Sequence, residues 1–377
     1  MGVSALGGPA GGHWPMNALA QQLAGEIQTR GPLSFAEFMQ RALYDHQHGY
    51  YSASVRPIGK RGDFFTSVSV GSFLGELLAF QFARWIEGLL RKGEDFQWDR
   101  KFHIAEAGAH DGRLAFDILE ALEESEPKLF ASLEYWIMEP SPARREVQQK
   151  TLARFSNIRW FESPREIHGR ICGVFFSNEL LDAMPVNVFR WNSAEHRWDE
   201  MGVGVSGERL VWTPLSSPSS GLPRLPEELL AVLPDGYTVE EMSLESRQWC
   251  ADAAAAIASG KLVTIDYGGT LEELLSPART SGTLRAYSQH RLSSDVLENP
   301  GEQDITAHVN FSVVRQIGEQ AGLKTEAFTN QSQSLTAIAR DYWSHRRSWP
   351  QHQVRQFQTL THPEHLGRPF RVLVQSR

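Results

Sequence analysis

Phe102-His103-Ile104-Ala105-Glu106-Ala107-Gly108-Ala109-His110-Asp111-Gly112-Arg113-Leu114 is the stretch that decides the fold. An apolar run meets an acid at Glu106, turns through a loop with glycines at 108 and 112, and leaves into a helical pattern. This reads as the carboxyl end of a strand, a tight loop and the amino terminus of a helix. An open α/β sheet holds a nucleotide-like ligand in this way: the glycines admit it without a Cβ, and the helix presents unpaired N–H groups. The spacing disfavours a dinucleotide. A pyrophosphate fingerprint begun at Gly108 needs glycine at 110 and 113, where His110 and Arg113 stand. S-adenosylmethionine carries no pyrophosphate, and its ammonium suits a loop containing an acid. Glu106, Gly108, His110 and Gly112 are therefore candidate cofactor contacts, with the His110 imidazole either turned outward or placed to meet the ligand's carboxylate.

A second acid extends the argument. Glu134 to Met138 reads as the next strand, and Glu139 stands at its carboxyl end, where a doubly wound unit places the carboxylate that takes ribose hydroxyls. A glycine pair alone is equally an ordinary turn, and a lone acid is usually solvated. The two at strand-helix-strand spacing favour a cofactor site.

Composition sets the outer bounds. The 377 residues, 41% of them hydrophobic, can fill the core of one large domain or two. A net charge of −8 with scattered basic residues lacks the stripe that tracks phosphates, so no nucleic-acid partner is expected. Cys172 and Cys250 are the only cysteines, and no Cys/His group has zinc-ligand spacing; we expect a reducing, cytoplasmic setting and no metal. No run has the length of a membrane span, and residues 1–15 lack the pattern of a signal peptide, so they are expected to form a disordered tail.

Beyond that tail, residues 16–95 read as a helical cap without a convincing strand. Ser34 and Glu37 form a capping box, and Phe73, Leu74, Leu77, Leu78, Phe82, Trp85, Ile86 and Leu89 recur at helical spacing. Between these helices a glycine-punctuated loop carries Asp63, Thr66 and Ser67. From Lys101 strands and helices alternate, through Arg113–Glu123, Glu134–Met138, Pro142–Phe155 and Ile158–Phe161 to the apolar strand Gly173–Ser177, which implies a parallel sheet covered on both faces. After Pro185 short strands at 186–191, 197–203 and 209–214 and a Ser/Pro-rich stretch suggest an inserted antiparallel β-subdomain over 186–236. A helix over 251–259, a strand over 262–266 and a helix over 311–321 behind Asn310 resume the core. The core thus spans 96–185 and 237–330, and residues 331–377 complete it with a helix and a strand.

Three more segments fall where such sheets bind ligands. Asn178-Glu179-Leu180-Leu181-Asp182 follows one strand, Asp266-Tyr267-Gly268-Gly269 ends another, and Thr283 to Tyr287 leads on to Asp304-Ile305-Thr306-Ala307-His308. Glu179 is the leading catalytic candidate, with Asn178 beside it and Asp182 second, although Asn178 and Asp182 are also natural helix caps. Asp266, Tyr267, Arg285 and His308 are candidates for substrate binding, and Asp63 for meeting the cofactor's ammonium.

Together with Gly31-Pro32-Leu33-Ser34, Gly49-Tyr50-Tyr51, Gly62-Asp63-Phe64, Thr66-Ser67 and Gly75-Glu76, these segments carry a resemblance running from about Gly31 to Ala321. They resemble the MidA-like family of class I S-adenosylmethionine-dependent methyltransferases, which includes a mitochondrial complex I assembly factor that methylates arginine. The chain departs from the family pattern at Ala109 and His110, which replace a proline and a glycine, at Val68-Ser69, and at Asn310. The resemblance implies an α/β, Rossmann-like class I methyltransferase sheet, S-adenosyl-L-methionine as cofactor with Thr66 and Ser67 near it, and a protein arginine in a respiratory-complex-type or other partner as acceptor. Two other readings stay open: a catalytically impaired docking or assembly module with the same fold, and a nicotinamide-dependent oxidoreductase, which the missing glycines disfavour. Oligomeric state is silent.

Overall fold

In a computed structural model of the protein, the described residues are 16–52, 66–92, 101–218, 221–223, 225–276, 279–288, 291–293, 295–344 and 349–377. The tail expected at 1–15 and the candidate Asp63 lie outside them. The chain begins with α1 (Ala18–Arg30), β1 (Leu33–Ser34), α2 (Phe35–Tyr44) and α3 (Phe73–Lys92). The alternating part follows as β2 (Phe102–Ala107), α4 (Arg113–Ser125), α5 (Pro127–Ser132), β3 (Leu133–Met138), α6 (Pro142–Thr151), β4 (Ile158–Phe161) and β5 (Ile171–Asn178). Next come β6 (Val186–Asn192), β7 (Arg197–Ser206), β8 (Arg209–Pro214), α7 (Glu227–Leu230) and β9 (Thr238–Met242). The remainder is α8 (Leu244–Ala256), β10 (Ile257–Gly269), α9 (Leu271–Leu274), β11 (Arg285–Ser288), β12 (Arg291–Ser293), β13 (Asp304–Thr306), β14 (Val309–Asn310), α10 (Phe311–Gln320), β15 (Lys324–Asn330), α11 (Gln331–Ser344), α12 (Gln351–Leu360) and β16 (Phe370–Ser376).

The main sheet runs β15-β16-β10-β5-β2-β3-β4, with β14 paired beside the end of β10. From β10 to β4 all neighbours are parallel, whereas β16 is antiparallel to both β10 and β15. Chain order moves outward from β2 to β4 in one direction and from β5 to β10 in the other, so the crevice for a ligand opens at the carboxyl ends of β2 and β5. All eight residues of β5 are buried, as an apolar run covered on both faces demands. Helix α3 lays Phe73, Leu74, Leu77, Phe82 and Ile86 into the same core as Ile104, Ile118 and Phe176. Burying each such side chain contributes about 1.5–3 kcal/mol.

Glycine is required where these strands approach most closely. A Cβ on Gly173 would lie 2.2 Å from the His103 carbonyl oxygen, and one on Gly260 1.9 Å from that of Gly173. Both residues also have positive φ, at 144° and 134°. Gly260 and Gly268 are part of why β10 is longer than the expected strand over 262–266: read alone they look like breakers, yet Gly268 pairs with Val309. The helix expected at 251–259 lies earlier, over Leu244–Ala256, because Ser243 accepts from Ser246 N and caps it.

The antiparallel sheet is β1-β7-β6-β9, with β8 on β7. The N-terminal region was expected to hold no strand; instead Leu33 pairs with Val203 and Ser34 with Gly202, so the cap is stitched into this sheet. Ser34 then starts α2 with the anticipated capping box, its side chain accepting from Glu37 N while Glu37 bonds back to Ser34 N. Phe35, Phe38, Met39 and Leu43 of α2 pack with Val188, Met201 and Val203 in a second core.

Candidate functional site

The glycine loop adopts the conformation its sequence requires. Gly108 and Gly112 have φ of 79° and 83°, and a Cβ on Gly108 would stand 3.1 Å from the Leu180 side chain. His110, where the resembling family has glycine, also takes a left-handed φ of 47°, which costs a side-chain-bearing residue about 1–2 kcal/mol. Asp111 closes the loop by accepting from Arg113 N at 3.0 Å. The His110 Nδ1 is buried, lies 3.8 Å from Asp111 Oδ1, and has no hydrogen-bond partner among the described residues.

Glu106 is fully buried beneath the loop and accepts from the Tyr135 hydroxyl at 2.7 Å. Loss of hydration pushes its pKa up to about 8, the Tyr135 bond acting against the rise and Asp111 with it. It is therefore a neutral acid at physiological pH, supporting the loop from below. At the end of β3, Glu139 is buried with each oxygen fixed: Oε1 accepts from Ser141 N at 2.9 Å and Oε2 from Gln148 Nε2 at 3.1 Å. Gln148 also donates to the His110 carbonyl at 3.0 Å, tying the loop after β2 to the acid after β3. Burial raises the Glu139 pKa, opposed by the Ser141 N–H and the charge of Arg144.

Across the switch point, β5 ends in Asn178, and Glu179 follows it. Glu179 has a left-handed φ of 52°, which turns it out of the strand. Its Oε1 accepts from Ser67 N at 3.0 Å and Asn178 Nδ2 at 3.2 Å. Ser67 thus meets the β5 terminus, while neighbouring Thr66 joins Ser69 in a local turn. Desolvation lifts Glu179 to about 7, the Ser67 N–H lowering it and the Asp266 charge raising it. The Asn178 Oδ1 is buried without a partner among the described residues.

Asp266 is fully buried, and its oxygens are taken by backbone: Oδ2 accepts from Leu180 N, Leu181 N and Asp182 N at 3.1, 2.8 and 3.4 Å, and Oδ1 from Tyr267 N at 2.8 Å. It holds the turn after β5, so the cap expected of Asn178 or Asp182 comes instead from β10, the neighbour of β5 in the sheet. Asp182 is buried and pushed well up, first by desolvation and then by the charges of Asp266, Asp304 and Glu179. Tyr267 is raised by burial and by Glu179 and Asp182.

Facing these acids are residues to which sequence reasoning attached no role. The Tyr51 hydroxyl donates to both Asp304 oxygens, at 2.9 and 2.8 Å. Tyr44 stacks on Tyr51 with centroids 5.6 Å apart and donates to the Ala183 carbonyl at 3.0 Å. Arg144 donates through Nε to the Tyr51 carbonyl at 2.9 Å and lies over the Tyr51 ring at 5.1 Å. Tyr44 is raised chiefly by burial and then by the charges of Asp304 and Asp182, with Arg144 opposing and Glu139 adding to the rise. Tyr51 and Asp304 sit in segments singled out by resemblance, but no local spacing connects them.

Arg285 and His308 do not join this group. Arg285 is exposed and donates to the Leu284 carbonyl at 2.7 Å. His308 lines a separate groove with Glu240, Thr283 and Asn310, where burial and the charges of Arg279 and Arg285 push it down to about 4. Among the described residues no helix is long and apolar enough to cross a membrane, and no three His, Cys, Asp or Glu residues gather as metal ligands do.

Comparison with known proteins adds independent findings. A family model for S-adenosyl-L-methionine-dependent methyltransferases matches residues 77–329. The chain is 27% identical, over 81% of its length and 71% of the relative's, to the mitochondrial protein arginine methyltransferase NDUFAF7 homolog of Drosophila melanogaster. To the mitochondrial protein arginine methyltransferase NDUFAF7 of Homo sapiens it is 26% identical, over 81% and 70%. A crystal structure from Burkholderia thailandensis bound to S-adenosyl-homocysteine superposes with a TM-score of 0.79 at 27% identity, covering 96% of this chain and 92% of that one. The expected cytoplasmic location is corrected by these relatives, which are mitochondrial proteins. Two buried free thiols report only that no disulfide forms between them, and do not single out the cytoplasm.

Proposed function

The chain belongs to the family of S-adenosyl-L-methionine-dependent methyltransferases, and from that premise we propose that it methylates the guanidinium of an arginine in a protein partner. The observation that carries the proposal is the gathering of acids at the carboxyl edge of the sheet, where Asp266 accepts from the backbone of Leu180, Leu181 and Asp182 directly after Glu179, and Asp304 and Glu179 both act on Asp182. Such a cluster favours a cationic acceptor. The names of the fly and human relatives agree with it.

The residues present fit the cofactor. Left-handed glycines open backbone at 108 and 112, and the His110 Nδ1 is a buried polar atom with Asp111 Oδ1 at 3.8 Å, too far for a hydrogen bond. Glu139 would take the ribose hydroxyls, His110 the carboxylate of the amino-acid end, and Glu106 would support the loop; the Thr66–Ser67 turn would bound the site from the cap. When bound, S-adenosyl-L-methionine supplies a methyl group on a positively charged sulfur.

What the protein must add is position and control of a proton. Holding nucleophile and electrophile in line can lower a barrier by about 7–11 kcal/mol in favourable cases. A guanidinium needs more, because its pKa exceeds about 12 and its lone pairs are delocalised. The Glu179 carboxylate, fixed by Ser67 N and Asn178 Nδ2, holds the guanidinium and localises its charge away from the attacking nitrogen. With a pKa near 7 it also accepts the proton that the newly substituted nitrogen sheds. Asp182, whose pKa is pushed well up by burial and the acids around it, adds a buried carboxyl beside Glu179, while Asp266 acts by positioning the Leu180–Asp182 turn, and Tyr267 follows it at the end of β10. Transfer of labelled methyl to protein arginine, identified by acid hydrolysis and mass spectrometry, tests the reading; label found only on lysine or small molecules would refute it.

A further inference from the structure

The N–H that fixes the Glu179 carboxylate comes from Ser67, remote in the chain, so its place depends on what holds residues 67–73. We propose that Gln356 of α12 and Gln331 of α11 are positioning residues for Glu179: together they clamp that segment at its two ends and keep the Ser67 N–H on the carboxylate. The inference rests on the role given to Glu179 above.

The clamp at the far end is Gln356. Its Oε1 accepts from Phe73 N at 2.9 Å, one of the first-turn donors that α3 cannot satisfy itself. Gly71 leaves room for this amide, since a Cβ there would stand 2.4 Å from the Gln356 Nε2. At the near end Ser67 is fully buried, and its Oγ lies 3.5 Å from Oε1 and 3.4 Å from Nε2 of buried Gln331. Those contacts are long, so the orientation of Gln331 matters, and a shorter bond from Nε2 to the Leu360 carbonyl, at 3.0 Å, sets it. A third glutamine, Gln353, donates to Glu76 Oε2 at 2.6 Å, where the Tyr342 hydroxyl also donates at 2.9 Å. Phe73 stacks on Trp343 with centroids 5.5 Å apart and meets Tyr342 and Phe357 edge-on. Apolar contact thus docks α11 and α12 on the start of α3, but it has no direction. The amides supply direction, and they supply it to the segment that ends on Glu179.

The consequence is electrostatic. An N–H aimed at a carboxylate favours the charged form, which a cationic acceptor requires. Asp266 and Tyr267 of β10 and Asp182 of the turn after β5 also face Glu179, and the substitutions below leave all three in place.

The test titrates the full chain by NMR with carbon-13 at the glutamate carboxyls, the Glu179 signal being the one absent in Glu179→Gln. In Gln356→Ala and in Gln331→Leu its midpoint should rise by about one unit, a tenfold shift in the ionisation equilibrium, while that of Glu139 stays within about 0.3. Ser67→Pro removes the donor itself at a φ of −56° that proline accepts. It should raise the midpoint as far, and Gln356→Ala added to it should raise it no further. A merely structural role for the glutamines would lower the melting temperature and leave the midpoint in place. An unmoved Glu179 in a folded Gln356→Ala protein, or equal rises with and without Ser67→Pro, overturns the proposal. Should Gln356→Ala fail to fold, Gln331→Leu is read by the same two criteria. Methyl transfer keeps this distinct from the function proposed above: the acidic limb of kcat should follow the midpoint, with the KM for S-adenosyl-L-methionine within about two-fold of wild type. A limb that stays while the midpoint moves strikes the role of Glu179 and not its positioning. If the wild type places no label on arginine, the acceptor reading falls and the carboxyl titration still decides the clamp.

Discussion

Replacing Glu139 by glutamine keeps size and shape but removes charge, and the surroundings determine the effect. Ser141 N and Gln148 Nε2 each require an acceptor, and they find one on separate oxygens of the carboxylate. An amide has a single acceptor oxygen, so one donor loses its partner and faces the new NH2. Leaving a buried donor unsatisfied costs about 1–3 kcal/mol, which appears as lowered stability. The charged acceptor that would meet the ribose is lost as well. Hydrogen bonds to a charged group contribute about 1.5–3 kcal/mol, so S-adenosyl-homocysteine should bind about 10- to 100-fold more weakly. Calorimetry of the folded variant with S-adenosyl-homocysteine, adenosine and homocysteine separates the causes. Affinity for adenosine should fall by the same factor as for the whole molecule, and affinity for homocysteine should change little. An E139Q protein that folds and binds S-adenosyl-homocysteine within two-fold of wild type would refute the ribose assignment. So would an equal loss for the homocysteine fragment.

Other substitutions probe the rest of the site. Glu179→Gln should abolish methyl transfer while leaving S-adenosyl-homocysteine affinity within about three-fold, as read by labelled transfer alongside calorimetry. His110→Ala should weaken S-adenosyl-homocysteine about ten-fold yet spare adenosine, because the orphaned Nδ1 is assigned to the carboxylate end. Glu106 has an ordinary pKa of 4.5 and a folded value of about 8, so the folded state carries the extra proton between them. Its contribution is therefore present below pH 4.5 and lost as pH rises toward 8. Between about pH 5.5 and 7.5, urea unfolding of the wild type should lose about 2–3 kcal/mol relative to Glu106→Gln, and parallel curves would exclude a neutral Glu106. Gly173→Ala would drive a methyl against the His103 carbonyl, so a loss of about 3 kcal/mol in unfolding free energy, or failure to fold, is expected.

The features legible in the sequence are those whose cause is local. The apolar run into β5, the loop from Gly108 to Gly112 and the acid after β3 each combine a strand pattern with its own turn residues, and each lies where the pattern put it. β10 was read short because Gly260 and Gly268 break a strand unless another backbone passes close beside them, as Gly173 and Val309 do. Residues β1, Tyr51 and Asp304 had no local signature, since their partners come from remote parts of the chain. Asp266 showed the converse: Asp-Tyr-Gly-Gly reads equally as a pocket acid or a strand-ending turn, and the Asp266 oxygens serve the turn that follows a different strand.

The pairing of Leu33 with Val203 has a consequence for how the molecule is made. On a ribosome the amino-terminal segment emerges long before its mate, so it must wait unpaired while β2 to β5 assemble beneath it. The turn after β5 waits longer than that strand, since Asp266 of β10 must emerge to hold it, and Tyr51 waits for Asp304 in its turn.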